Sequence, residues 1–150
     1  MNKVTEDLPA AVQATLYVDD LAIYFTCSYA PTAERLLQRS VNQISRWASR
    51  SGFTLAPEKT LGCIFYRGRQ NPPPPNVVVS GQEIEFKASV KFLGMILDSK
   101  LKWQEHIESL RTRCLLAMNV LKATAHLSWG GDRCTLLRLY RALIRSKIDY

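Results

Sequence analysis

No apolar run in this sequence approaches the ~20 residues a helix needs to cross a bilayer, so no membrane partner is expected. The opening residues, 1–10, carry Glu6 and Asp7 and have no apolar core. They do not read as a secretory signal. The expectation is an intracellular protein, nuclear or cytoplasmic and not secreted. Cysteine is sparse, and Cys27, Cys63, Cys114 and Cys134 include no pair at the close spacing of a zinc site. With nothing pointing to secretion, the four read as reduced thiols, mostly in the core. No segment recurs at a fixed period, which sets solenoid architectures aside. Acidic side chains are the scarcer charge: 13 Asp and Glu stand against 20 Lys and Arg, a net charge of +7. The imbalance is uneven. Residues 1–75 hold 8 basic against 6 acidic side chains (+2), and residues 76–150 hold 12 against 7 (+5). A basic second half suits an acidic partner, nucleic acid being the commonest. A simple solvated basic surface is the alternative.

What is present fits a folded chain. Hydrophobic content of 47% and charged content of 22% are ordinary for a globular protein. At 150 residues the chain suits one domain or pieces of two.

The stretch that carries chemistry is Tyr17-Val18-Asp19-Asp20. Apolar runs at 14–18 and 21–25, rich in β-branched and aromatic residues, read as two strands. The spacing predicts a β-hairpin with both carboxylates at its tip. Adjacent like charges are unfavourable without a cation beside them. Mg²⁺ meets that need, because it takes hard oxygen ligands, typically one or two carboxylates plus substrate phosphates. The alternative is a solvated surface turn, since Asp is common in turns. Both strands are nearly continuously apolar, which predicts a hairpin buried on most sides with its acidic tip in a cleft.

Further along, Pro31 opens a helix that runs to Ser51, with Gly52 as its stop. Ala33, Leu36, Leu37, Val41, Ile44, Trp47 and Ala48 paint one face of it. Arg35, Arg39, Arg46 and Arg50 read as its solvated face. Residues 53–55 are extended, and 61–66 read as a strand. Pro72 to Pro75 favour a polyproline II connector between strands, with an SH3-type ligand as the alternative. A small hairpin turns at Ser80-Gly81, and residues 90–97 read as one strand with Gly94 inside it. A long helix is expected over 103–127, with Trp103, Ile107, Leu110, Cys114, Ala117, Met118, Leu121 and Ala125 facing a core. A break follows at Trp129-Gly130-Gly131. Asp132 then caps a last helix with Leu136, Leu137, Tyr140, Leu143 and Ile144 inside.

In this order the elements resemble the second half of a reverse-transcriptase palm followed by the start of a thumb. Four segments carry the resemblance along the chain. Glu6-Asp7-Leu8-Pro9 is similar to an Asn-Asp-Leu-Pro segment of the family, and Tyr17-Val18-Asp19-Asp20 matches its Tyr-x-Asp-Asp (YVDD) box. Gly52-Phe53-Thr54-Leu55 through Lys59-Thr60 resembles the Gly-Leu-x-Leu-Asn-x-x-Lys-Thr segment, with Ala56 where Asn is usual. Phe92-Leu93-Gly94 matches the primer-grip segment. The match then extends through Leu97-Asp98, Leu101, Trp103 and His106-Ile107, a pattern of non-LTR (LINE-like) retrotransposon polymerases. Residues 139–150 resemble the helix that continues it.

The resemblance implies an α+β fold: a partial polymerase palm, an antiparallel sheet with a packed helix, at residues 1–98, and a truncated helical thumb-like segment at 99–150. It implies an RNA-directed DNA polymerase, a nucleotidyltransferase using Mg²⁺ or Mn²⁺. Its partners would be an RNA template, a DNA primer and deoxynucleoside triphosphates. Asp19 and Asp20 would be catalytic and metal-binding, with Lys59 near the triphosphate. Tyr17, Phe92, Leu93 and Gly94 would contact nucleic acid, and His106 would be structural at the sheet–helix junction. An upstream palm aspartate, a glycine-rich nucleotide-pocket segment and the fingers, all needed by the family, are absent from these residues. The expectation is therefore a fragment that needs those N-terminal polymerase segments and is inactive alone. A non-catalytic nucleic-acid-binding fragment or a decayed transposon remnant is the alternative.

Overall fold

A computed structural model describes residues 8–125 and 130–149. Glu6 and Asp7 of the first motif, the expected helix end at 126–127, Trp129 and Tyr150 lie outside the described residues. The chain divides into two compact units. One holds the described residues up to Gly94 with Asp98–Leu101, and the other holds Met95–Leu97 and the chain from Lys102 onward.

In the first unit, β1 (Gln13–Tyr17) and β2 (Asp20–Tyr24) form an antiparallel hairpin in which Tyr17 lies opposite Asp20. The helix α1 follows at Ala30–Arg50, with Pro31 in its first turn. Its end is built as the sequence predicts. Gly52 adopts a positive φ of 78°. That turns the Phe53 N–H back onto the Ala48 carbonyl at 2.8 Å and the Gly52 N–H onto Ser49 at 3.4 Å. This is a Schellman ending, and the apolar contact that usually accompanies it is Phe53 stacked on Trp47, centroids 5.8 Å apart. The amphipathic face of α1 is buried as expected. Val41 joins Val77 and Val79 in a core that Ile23, Leu37, Leu55, Ile84 and Phe86 close over.

After a 3₁₀ turn at Pro57–Lys59 come β3 (Leu61–Cys63), β4 (Val78–Val79), β5 (Gln82–Glu83), β6 (Glu85–Lys87) and β7 (Ser89–Phe92). The expected antiparallel sheet is not what forms. β1 to β6 pair two by two: β1 with β2 and β4 with β5 antiparallel, and β3 with β6 in parallel. Residues 64–84 between β3 and β6 supply the long crossover that a parallel pair requires. The expected strand over 61–66 stops at Cys63, which faces Lys87, the last residue of its partner. The expected second arm of the small hairpin is split at Ile84. The Ile84 N–H still bonds the Val77 carbonyl at 2.8 Å. Beyond it the chain leaves β4 and takes β3 as its partner.

The single strand expected over 90–97 is two, β7 and then β8 (Met95–Asp98). Leu93 and Gly94 lie between them with φ of 46° and 85°. Two consecutive positive φ values make a tight reversal of the type I′ kind. Glycine accepts that geometry freely, so Gly94 marks a turn rather than a strand interior.

The second unit is helical: α2 (Gln104–Thr124), α3 (Arg133–Tyr140), a π-helical turn at Arg141–Arg145 and α4 (Ser146–Ile148). Asp132 caps α3 as predicted, its carboxylate accepting the Thr135 N–H at 3.1 Å. The core is Ala117, Leu121 and Ile144, packed by Cys114, Leu136, Leu139 and Leu143. Several residues expected inside are exposed instead: Trp103, Ile107, Met118, Leu137 and Tyr140. The wider π turn changes the helical register, and Leu139 lies inward in place of Leu137 and Tyr140. His106 is structural here, its Nδ1 accepting the Ile96 N–H at 3.3 Å with Trp103 edge-on beside it. Among the described residues no helix is long and apolar enough to cross a membrane.

Candidate active site

The hairpin β1–β2 closes through only two linking residues, Val18 and Asp19. So short a link between twisted strands needs positive φ at its first residue. Val18 takes it, at 53°. A β-branched residue in the left-handed region is a steric outlier, with a cost of about 1–3 kcal/mol. That conformation sets Asp19 at the tip. Asp20 is not at the tip with it, as the sequence suggests, but is the first residue of β2, opposite Tyr17.

Among the described residues nothing encloses the tip in the expected cleft. Tyr17 is 61% and Val18 68% exposed, and both aspartates are exposed. The reason lies in the strands. β1 alternates exposed and half-buried residues, and from this hairpin Ile23 packs on the unit's core. Apolar side chains alone do not bury a strand; a second layer must cover it.

Among the described residues neither Asp19 nor Asp20 forms an ion pair, so no cation of the protein neutralises them. Two adjacent carboxylates with no internal partner present hard oxygen donors outward. That donor set fits Mg²⁺ as part of a ligand shell. No third His, Cys, Asp or Glu joins it among the described residues.

Lys59 is exposed at the end of its 3₁₀ turn. Ala56, standing where the family pattern has Asn, does not leave the turn open. Its carbonyl accepts the Lys59 N–H at 3.1 Å and the Thr60 hydroxyl at 2.9 Å. Phe92, the last residue of β7, and Leu93 and Gly94 in the reversal after it are half-buried. The structure thus brings Tyr17, Asp19 and Asp20 together on one hairpin. Lys59 and Phe92–Gly94 sit on separate turns, and no hydrogen bond or ion pair joins Lys59 to either carboxylate among the described residues.

Sequence reasoning missed Val18 as the residue whose backbone sets the tip; the two-residue spacing between the strands was the available signal. It also missed a groove of about 1020 Å³ along α1, which none of Tyr17, Asp19, Asp20, Lys59 or Phe92 lines. Cys63 is half-buried. Burial first, and then the negative charge of Asp98, push its thiol above the ordinary value.

The family defined as reverse transcriptase (RNA-dependent DNA polymerase) matches residues 1–97, and the chain belongs to that family. Within it, the similar proteins come from mobile elements. The chain is 25% identical over 153 residues to the RNA-directed DNA polymerase from mobile element jockey of Drosophila funebris, covering 99% of this chain and 16% of that protein. It is 22% identical to the retrovirus-related Pol polyprotein from type-1 retrotransposable element R1 of Nasonia vitripennis, covering 100% of this chain and 46% of that one. It is 25% identical over 114 residues to the probable RNA-directed DNA polymerase from transposon BS of Drosophila melanogaster, covering 76% and 13%. The non-LTR resemblance read from the sequence is thereby borne out. The chain spans from about an eighth to just under half the length of these relatives. No solved structure matches the chain.

Proposed function

We propose that this chain is part of a non-LTR retrotransposon reverse transcriptase, with residues 1–98 the C-terminal part of the palm and 99–150 the start of the thumb. Its reaction is nucleotidyl transfer from a deoxynucleoside triphosphate to the 3′ end of a primer on an RNA template, inside the cell. The observation that carries the reading is the hairpin tip. A strained Val18 presents Asp19 beside Asp20 with no internal cation, within the stretch that matches the family.

In that role Asp19 is the principal ligand and Asp20 assists, toward Mg²⁺ or Mn²⁺. A divalent cation held there would supply Lewis-acid activation of the attacking oxygen and charge neutralisation at the triphosphate. The remaining residues position and compensate. Lys59 offers a positive charge to the leaving pyrophosphate, where charge develops. Tyr17 braces primer or template, and Phe92, Leu93 and Gly94 hold the primer backbone. Positioning is most of this catalysis. Among the described residues no pocket is lined by the two carboxylates, so little or no primer extension is expected from these 150 residues alone. Family membership disfavours a purely non-catalytic or decayed reading.

The test is Mn²⁺ binding, followed by electron paramagnetic resonance, on the chain and on its Asp19→Ala/Asp20→Ala form. Primer extension on an RNA template in Mg²⁺ is run alongside. Weak Mn²⁺ binding that vanishes in the double variant is the expected result. Binding unchanged by the two substitutions would remove the metal-ligand assignment.

A further inference from the structure

Arg35, Arg39 and Arg46 read from the sequence as a solvated helix face, and the structure gives that face a second wall. At 100° per residue the three guanidinium groups fall on one narrow stripe of α1, spread over ~16 Å of helix axis. All three side chains are exposed. None forms an ion pair among the described residues. Across from them run Pro73 and Pro74 of the connector, and together the two sides line the groove of about 1020 Å³.

The spacing of the two walls is held by specific bonds. The Gln38 side-chain amide donates to the Val78 carbonyl at 2.9 Å and accepts the Val78 N–H at 2.8 Å. It thus pairs with the backbone as a neighbouring strand would. One turn earlier, a Glu34 carboxylate oxygen accepts the Asn76 N–H at 3.0 Å. Among the described residues Glu34 is the one carboxylate lining the groove, and this bond ties it to the wall without removing its charge. The result is a surface with three arginines outnumbering the single Glu34 charge on one side, and apolar, rigid proline rings on the other.

We propose that this groove binds the phosphate backbone of a single-stranded nucleic acid. Phosphates would lie against Arg35, Arg39 and Arg46, with the sugar and base faces on Pro73 and Pro74. Guanidinium forks match phosphate oxygens well. An unpaired strand offers both phosphate and open base faces to a groove, whereas a duplex keeps its base faces stacked inside. Choosing nucleic acid over other polyanions rests on the polymerase reading above. The groove itself, formed by α1 and the connector, does not depend on it.

The experiment is fluorescence anisotropy of a labelled oligouridylate, titrated with the full chain across a salt series. Arg35→Gln/Arg39→Gln/Arg46→Gln is expected to weaken binding about tenfold or more and to make the salt dependence shallower by about 2 log units per decade. The triple Lys variant should keep most of the affinity. Amide exchange in α1 confirms that the variants fold. An oligothymidylate bound equally well assigns the groove to the shared phosphate backbone, and a preference for oligouridylate adds contact with the 2′-hydroxyls; both agree with the proposal. Unchanged affinity and salt slope in the Gln variant would overturn it. So would a duplex or a polyglutamate peptide bound as tightly through the same three arginines. Asp19→Ala/Asp20→Ala should leave oligouridylate binding intact, so loss of the metal reading and loss of this one are separate results.

Discussion

The two long helices, each of 21 residues, are built on opposite terms. α1 is apolar along one face, and that face is covered by β4 and its neighbours; Val41, Ile44 and Ala48 are buried, and Ser40 satisfies its buried hydroxyl on the Leu36 carbonyl. α2 carries apolar residues around much of its circumference. Ala117 and Leu121 are buried, while Leu115, Leu116 and Val120 stay exposed, Leu116 at 64%. The first helix is therefore specified by its pattern, because a single stripe admits a single orientation. The second is not, because several of its faces could serve as the inside. Which face turns inward is decided by the chain that returns through Ile144 and Leu136.

The largest effect that would test this contrast is Val79→Asp. Val79 is almost fully buried against α1, and an unpaired charge there should cost about 3–5 kcal/mol. Amide exchange should show α1 losing its protection; an α1 that stays protected would mean the helix does not depend on β4. Next comes Ile144→Ala, which removes the residue that α2 packs upon, for about 2–4 kcal/mol by denaturant unfolding. A loss under about 0.5 kcal/mol, the size of an ordinary surface substitution, would show that α2 has another face in use as its core.

The smallest effect is a pH dependence in α3. The Thr135 hydroxyl and then its N–H, both donating to Asp132, hold that carboxyl below its ordinary value. A depressed value in the folded state means stability that is present above the unfolded value and lost as pH falls through the folded one. Fraying of α3 should therefore begin only below about pH 4. It should lose that acid dependence in Asp132→Asn, which can still cap the helix. Acid fraying unchanged in the Asn variant would place the sensitivity elsewhere.

Much of the fold is legible in the residues. The β1–β2 hairpin, the Gly52 helix ending, the Ser80-Gly81 turn and the Asp132 cap each depend on a few adjacent residues, and each forms as the sequence implies. The features that depart from the expectation depend on distant residues. The parallel pairing of β3 with β6 joins residues more than twenty positions apart. Periodicity carries no information about such partners. Of the candidate site, the acidic pair was legible from its composition and flanks. Its openness was not, because exposure is a property of what lies over the hairpin.

By itself the sequence determined the family, through the spaced motifs between Tyr17 and Ile107, and the local elements, through caps, turns and periodicity. Only the tertiary structure decided that of the two aspartates Asp19 but not Asp20 lies in the hairpin link, that Gly94 turns the chain, and that three arginines on α1 line a groove with two prolines. The physical reason is range. Dihedral preferences and helical spacing act over a few residues, whereas exposure, strand partnership and grooves arise where remote segments meet.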